Sequence, residues 1–343
     1  MTAANPILQR EAMTRKLDRR ISCEGKVTLP AVPGMLDVYT SRCAEVFAAL
    51  GRKLNAPELA ELRKILDGQL KEAFSRSQRS NITVSYQSSV SGLLNYFVAP
   101  EYATIEQTYS AWVNTRKPPY FGTEPDAKVL AVAKQLGDAP HKRVLDIGAG
   151  TGRNALALAR LGHPVDAVEL TPKFAEILSA TAQQESLDIQ VICKDVFEVG
   201  LELSNSYDLM LLSEVVSDFR SVAQLRLMLE LAAKHLAPNG VLLFNAFVAR
   251  SHYSADDAAR EFGQQVFSYF FTPEELSCAR VGLPLVSVSD ESVYDYEKAN
   301  LPMTAWPPTG WYQDWVSGLD VFDVPMLDSP IELRWLTFSK VMT

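Results

Sequence analysis

Val144-Leu-Asp-Ile-Gly148-Ala-Gly150-Thr-Gly152-Arg-Asn154 is a buried-strand run that breaks into three alternating glycines. A helix-forming run, Ala155 to Leu161, follows it. That order predicts a strand, a loop and a helix, with the chain passing too close to a ligand to tolerate side chains. Asp146 stands just before the first glycine. A loop built for a dinucleotide pyrophosphate does not usually place a carboxylate there, because like charges would face each other. The dinucleotide pattern GxGxxG also requires glycine at 153, where this chain has Arg153. Before Arg153 the loop holds no Lys or Arg, which disfavours phosphate. A cationic ligand suits it better.

Outward from this loop, strands and helices alternate. Strands are expected at 143–147, 164–169, 189–193, 207–212, 240–247, 284–289 and 331–339, with helices at 152–161, 172–184, 221–236 and 272–281. Such alternation predicts an α/β fold, a doubly wound and mostly parallel sheet covered on both faces. The long return before 331–339 predicts a last strand that enters antiparallel, at or beside an edge.

Upstream the pattern changes. Residues 1–100 read as a helical and hairpin region. Ser41 to Ser77 is helical, interrupted by Asn55-Ala-Pro-Glu58, which has the form of an N-cap with an acid three positions on. Ile82, Val84 and Tyr86 then alternate as on a strand, and Leu93 to Val98 is a second apolar run. Residues 101–142 read as a lid segment, with Tyr109, Trp112, Tyr120 and Phe121 around Arg116-Lys-Pro-Pro119 and a helix from about Asp126 to Leu136. The core domain is expected over 143–343. It includes an aromatic insertion at 294–325 that carries Trp306-Pro-Pro-Thr-Gly-Trp311-Tyr-Gln-Asp-Trp315.

A net charge of -8 argues against a nucleic-acid binder that works through a broad basic face. Cys23, Cys43, Cys193 and Cys278 form no CxxC pair, so neither a zinc site nor a disulfide framework is expected. That cysteine usage fits a reducing cytoplasm. No apolar run approaches the roughly 18 residues that a membrane span needs. The first 20 residues hold five basic and two acidic side chains without a signal-peptide apolar segment, and read as a loose tail.

Residues 143 to about 247, roughly a third of the chain, resemble class I S-adenosylmethionine-dependent methyltransferases. Asp146-Ile-Gly148-Ala-Gly150-Thr-Gly152 is similar to the family's first motif, whose backbone and acid hold the methionine part of the cofactor. Arg153 and Asn154 resemble the tellurite-resistance-type subgroup. Val165-Asp-Ala-Val-Glu169 is similar to the second motif. Glu169 falls 23 positions after Asp146, where the resemblance implies an acid bonded to both ribose hydroxyls. Lys194-Asp195-Val196 looks like the adenine site, with Asp195 accepting from the amino group and Val196 and Phe197 flanking the ring. Tyr207 to Glu214 is similar to the fourth strand, which ends beside the reacting methyl group. Leu236-Ala-Pro-Asn-Gly240 resembles the loop into the fifth strand, and Phe271-Thr-Pro-Glu-Glu-Leu276 the helix after it.

The resemblance therefore implies a seven-stranded Rossmann-like sheet and S-adenosylmethionine as cofactor. It implies cofactor contacts from Asp146, Gly148, Gly150, Gly152, Asn154, Glu169, Leu170, Asp195, Val196 and Ser213. The residues agree on their own terms. Three acids at the carboxyl ends of consecutive strands are acceptors, suited to an amine, a diol and an exocyclic amino group.

For the methyl acceptor, Glu214 and Asp218 follow the fourth strand and His252 lies after the fifth, each placed to orient an acceptor or take a proton. Tyr109, Trp112, Tyr253 and Trp311 are candidate substrate walls. The Asn-Pro-Pro-Tyr signature of amide and adenine methyltransferases is absent, since Ser213-Glu-Val-Val216 stands in its place. The expected acceptor is a nitrogen or oxygen on a small molecule. A side chain on a partner protein and a non-catalytic, cofactor-binding scaffold are the alternatives. No nucleic-acid, membrane or metal partner is expected.

Overall fold

In the computed structural model, the residues described are 6–18, 22–88, 94–199, 203 and 206–341. The chain divides into two compact units, one of Met1–Ile105 with Asp257–Gln265, the other of Glu106–Asp256 with Val266–Thr343.

The first unit is a three-stranded antiparallel sheet, ordered β1 (Cys23–Pro30), β2 (Asn81–Ser88) and β3 (Leu94–Glu101), with two helices on one face. Helices Leu36–Ala49 and Ala56–Arg76 bury Phe47, Leu62, Leu66, Leu70 and Ala73 against Ile82, Val84 and Val98. Their junction is the predicted cap. The Glu58 N–H donates to Asn55 Oδ1 at 3.0 Å, and the Asn55 N–H donates to Glu58 Oε2 at 2.7 Å. Two features differ from the sequence reading. Cys23–Pro30 adds a third strand where a hairpin was expected, and Pro6–Asp18 is a helix rather than a loose tail. Neither has a strong pattern. Strand β1 alternates around glycine and lysine, and the helix buries no residue. Leu93, the start of the second apolar run, lies outside the described residues. The helix Asp257–Gln265, read from sequence as part of the core domain, packs in this unit. Glu261 Oε2 accepts from the Gly34 N–H at 2.7 Å, and Arg79 Nη1 donates to the Gln264 and Gln265 carbonyls at 2.6 and 2.8 Å.

The second unit is the doubly wound sheet. Its strands are β4 (Val144–Ile147), β5 (Val165–Glu169), β6 (Ile189–Cys193), β7 (Tyr207–Leu212), β8 (Leu236–Ala249), β9 (Phe270–Phe271), β10 (Leu285–Ser292) and β11 (Ile331–Lys340). Seven of them run in the order β10-β11-β8-β7-β4-β5-β6, and the two-residue β9 pairs with β8. Strands β4 to β8 are parallel, and β11 is antiparallel to both β8 and β10, as its late position predicted. Val144-Leu-Asp-Ile and Val165-Asp-Ala-Val-Glu are buried throughout, which explains their nearly unbroken apolar reading. The main core joins Leu145, Ile147, Met210, Leu212, Leu242 and Phe244 to Leu225, Met228 and Leu229 of the helix Val222–His235.

The stretch Leu236–Gly240 extends strand β8 instead of forming a loop. Asn239 takes φ +61°, and the register against β7 shifts between Tyr207 and Leu209. A side chain at Gly240 would meet the Ala237 and Tyr207 carbonyl oxygens at 2.8 Å. Among the described residues, no helix is long and apolar enough to cross a membrane, and no cluster of His, Cys, Asp or Glu is arranged to hold a metal ion.

Candidate cofactor and acceptor site

The three acids predicted at strand ends occupy β4, β5 and the turn after β6, at the carboxyl edge where parallel sheets bind ligands. Between the first two lies the glycine loop. The Gly148 and Ala149 N–H groups both donate to the Val168 carbonyl, at 2.8 and 3.1 Å, and fold the chain back over β5. Glu169 then pins the loop. Its Oε2 accepts from the Gly150 N–H at 2.8 Å and its Oε1 from the Thr171 N–H at 2.7 Å. Leu170 is the half-buried residue between Glu169 and Thr171.

Gly148, Gly150 and Gly152 all have positive φ, at 71°, 56° and 95°. Close neighbours reinforce that requirement. A side chain at Gly148 would meet Val215 Cγ2 at 2.3 Å, and one at Gly150 would meet the Phe121 ring at 3.3 Å.

Asp146 is 2% exposed, and its Oδ2 has no hydrogen-bond partner among the described residues. Burial, reinforced by Asp126, pushes its carboxyl up to about 8 against the opposing pull of Arg153. A buried carboxylate oxygen without a donor fits a ligand ammonium. With Glu169 and Asp195 it makes a set of acceptors whose chemistry fits S-adenosylmethionine, which carries an amine, a ribose diol and an exocyclic amino group. Asp195 has a local duty as well. Its Oδ1 accepts from the Phe197 N–H at 2.9 Å, and its carbonyl accepts from the Glu198 N–H at 3.0 Å, opening the short helix Val196–Val199. Val196 packs on the core, while Phe197 meets Phe219 with centroids 5.6 Å apart.

Arg153 holds the centre of a buried charge network that sequence reasoning did not reach. Its Nη1 lies 2.8 Å from Asp126 Oδ1 and its Nη2 lies 2.6 Å from Glu214 Oε1. Asp126 Oδ2 also accepts from Asn154 Nδ2 at 2.8 Å and from Ser213 Oγ at 2.7 Å. Asn154 and Ser213, expected at the cofactor, thus brace Asp126. Glu214 has φ +62°, and its N–H donates to Asn245 Oδ1 at 2.7 Å. Burial pushes its carboxyl up to about 7, opposed by Arg153.

The other acceptor-side candidates separate. Asp218 ends the turn Val216–Asp218 after β7, and Tyr109 Oη donates to its Oδ2 at 2.7 Å. Tyr109 lies 5.0 Å from Trp112 and 5.7 Å from Phe267, centroid to centroid, and Trp112 lies 6.4 Å from Trp311. The lid segment and the aromatic insertion therefore meet in one wall. Phe121, 5.8 Å from Trp112, ties this wall to Gly150. His252 is exposed in a turn, and Tyr253 packs on Phe270 and Phe322. Sequence reasoning missed Asp126, Asn245, Phe267 and Glu297. Asp126 had a faint signal as a helix start, and the others had none.

Residues 144–240 match the sequence profile of the family described as methyltransferase domain. They are a class I S-adenosylmethionine-dependent methyltransferase domain. The matched profile is that of the general family and does not single out the tellurite-resistance-type subgroup. The chain is similar to a ubiquinone biosynthesis O-methyltransferase of Xanthomonas campestris pv. campestris (strain B100), 27% identical over 40% of this chain and 60% of that one. It is also similar to a release factor glutamine methyltransferase of Haemophilus influenzae (strain ATCC 51907 / DSM 11121 / KW20 / Rd), 27% identical over 35% of this chain and 53% of that one. The chain spans 60% or less of the length of these curated relatives. A solved geranyl diphosphate C-methyltransferase from Streptomyces coelicolor A3(2) is 15% identical, covers 63% of this chain and 78% of its own, and has a TM-score of 0.46. The matched stretch ends inside β8, so Tyr109, Trp112 and the aromatic insertion lie outside it, while Asp218 lies within it.

Proposed function

We propose that this chain transfers a methyl group from S-adenosylmethionine to a nitrogen or oxygen of a small-molecule acceptor. The observation that carries the acceptor side is the Tyr109–Asp218 hydrogen bond of 2.7 Å, set in the aromatic wall that reaches Gly150. The cofactor supplies a methyl group already activated on a sulfonium, so the acceptor lone pair bonds to carbon while the electrons of the broken C–S bond stay on sulfur.

What remains for the protein is alignment, exclusion of water and removal of the acceptor's proton. Tyr109, Trp112, Phe121, Phe267 and Trp311 offer flat apolar faces to hold an acceptor. Asp218 is the proton acceptor, and Tyr109 orients it by donating to one carboxylate oxygen. Glu214 is a positioning residue, because its carboxylate is held on Arg153. His252 has no part in this reading.

The release-factor relative, as its name says, methylates a glutamine, which keeps a protein acceptor as the competing outcome. Incubation with methyl-labelled cofactor and a host extract separates the two. Label in the small-molecule filtrate supports the proposal, and label in a single protein band replaces it with a protein acceptor. Tight cofactor binding with no transferred label would make the chain a scaffold.

A further inference from the structure

Arg116 directly follows the helix Ile105–Thr115, which carries Tyr109 and Trp112 into the aromatic wall. Tyr109, Trp112 and Arg116 stand at i, i+3 and i+7, a spacing that puts them on one face of that helix. The Arg116 N–H donates to the Trp112 carbonyl at 2.8 Å, so the last turn extends one residue and brings Arg116 back over Trp112. Lys117 and two prolines then stop the helix. The guanidinium carbon of Arg116 lies 3.5 Å from the centre of the Trp112 ring.

That ring belongs to the acceptor side. Its centre is 5.0 Å from that of Tyr109, which donates to Asp218, and 6.4 Å from that of Trp311. Phe121, 5.8 Å from Trp112, reaches Gly150. Arg116 is therefore a cation seated on the wall that joins the glycine loop to Asp218.

This cation has no counter-charge. In the same unit Arg143, Arg153, Arg160, Arg226 and Arg334 each pair with an acid. Among the described residues, no carboxylate or other hydrogen-bond acceptor takes up the Arg116 side chain. The Trp112 face attracts the charge but accepts none of its five N–H donors in the ring plane. Partial burial lowers the pKa of Arg116 from the ordinary arginine value, and the Tyr109 phenol acts the other way. A guanidinium that rests on a ring with its donor edge unused matches the two oxygens of a carboxylate.

We propose that the methyl acceptor carries a carboxylate, which Arg116 binds while the methyl goes to a separate nitrogen or oxygen beside Asp218. This deepens the acceptor reading given under Proposed function and rests on it. A single guanidinium fork among flat apolar faces suits a planar, singly charged group on a short or aromatic body. Arg116 is a specificity-determining residue and takes no part in proton transfer. Were its duty only to stack on Trp112 at a helix C-terminus, its loss would alter stability and leave the choice of acceptor unchanged.

The test begins with methyl-labelled cofactor, a host extract and the full chain. Carbodiimide coupling to an amine resin should capture the labelled small molecule, and label that stays in solution would overturn the proposal. The captured acceptor is then compared with its own carboxamide. The unmodified chain should prefer the acid by about tenfold or more in kcat/KM, the scale of one charge-assisted hydrogen bond. Equal use of acid and amide would overturn the proposal even if every variant failed to fold. In Arg116→Met, KM for the acid should rise about tenfold or more with kcat changed less than about twofold, and the preference over the amide should vanish. Arg116→Lys should recover only part of that preference, because an ammonium cannot form the paired contact. Lys117→Met, which removes an exposed neighbouring charge, should leave the preference intact. A preference that survives in Arg116→Met would mark Arg116 as merely structural and sink the proposal. Label in no small molecule at all would instead remove the underlying acceptor reading.

Discussion

Arg153 Nη2 lies 2.6 Å from Glu214 Oε1, joining the first turn after the glycine loop to the end of strand β7. The residue that breaks the dinucleotide glycine pattern in the sequence is thus held between two carboxylates. Glu214 loses its freedom as a base by the same bond.

Breaking this arrangement leaves buried acids without their cation. Arg153→Met should cost about 3–5 kcal/mol in unfolding free energy, the range for removing one partner of a buried ion pair. Arg153→Lys should recover only part of it, since one ammonium cannot reproduce the two-pronged geometry. Urea denaturation measures both. Equal stability of Arg153→Met and the unmodified chain would show that the network contributes nothing.

Asp218 and Glu214 should respond differently to loss of charge. Asp218→Asn should lower kcat by about 10²–10⁴-fold, the usual range for a general base, with cofactor affinity little changed. Tyr109→Phe should lower kcat less, because it removes an orienting donor and spares the carboxylate. Single-turnover assays with an identified acceptor measure both. Full activity in Asp218→Asn would refute its assignment as proton acceptor.

The ligand-free protein should lose stability as pH rises. Asp146, Glu214 and Glu297 have folded-state values near 8, 7 and 7, above their ordinary values of 3.8, 4.5 and 4.5. Between about pH 4 and pH 8 the folded chain therefore holds more protons than the unfolded one, so unfolding free energy falls as pH increases. The contribution is fully present below pH 4 and lost by the time pH passes the folded values. Tm should drop from pH 5 to pH 8 without ligand, and saturating cofactor should flatten the drop by supplying positive charge. A Tm that rises over this window without ligand would contradict the raised acids.

In the first unit, Asn55→Ala should cost about 1 kcal/mol by removing the cap of the helix Ala56–Arg76. Unfolding followed by circular dichroism reports it, and no change would mean that helix packing alone sets that terminus.

Much of this molecule is legible in its sequence because period and spacing are local. The parallel strands β4 to β7 follow from short apolar runs, and Asn55 with Glu58 announces its own cap. The cofactor acids follow from strand ends plus family resemblance. What escapes is the partnership between distant residues. Asp126 reads as an ordinary helix start, and only the fold places it 2.8 Å from Arg153. Glu297 sits in an unremarkable charged helix, and its burial depends on Trp335 and the helix at Ala127 closing around it. Strand β1 is hidden for a related reason: its alternation is weak, and pairing with β2 from Cys23 to Pro30 defines it.

The central claim is that the glycine loop and Asp146 hold S-adenosylmethionine. Calorimetric titration of the unmodified chain and of Asp146→Asn tests it most directly. The expected result is saturable binding of the cofactor to the unmodified chain and its loss in the variant, which must first be shown folded by its near-ultraviolet spectrum. Absence of binding to the unmodified chain, or equal affinity in the two, would contradict the claim.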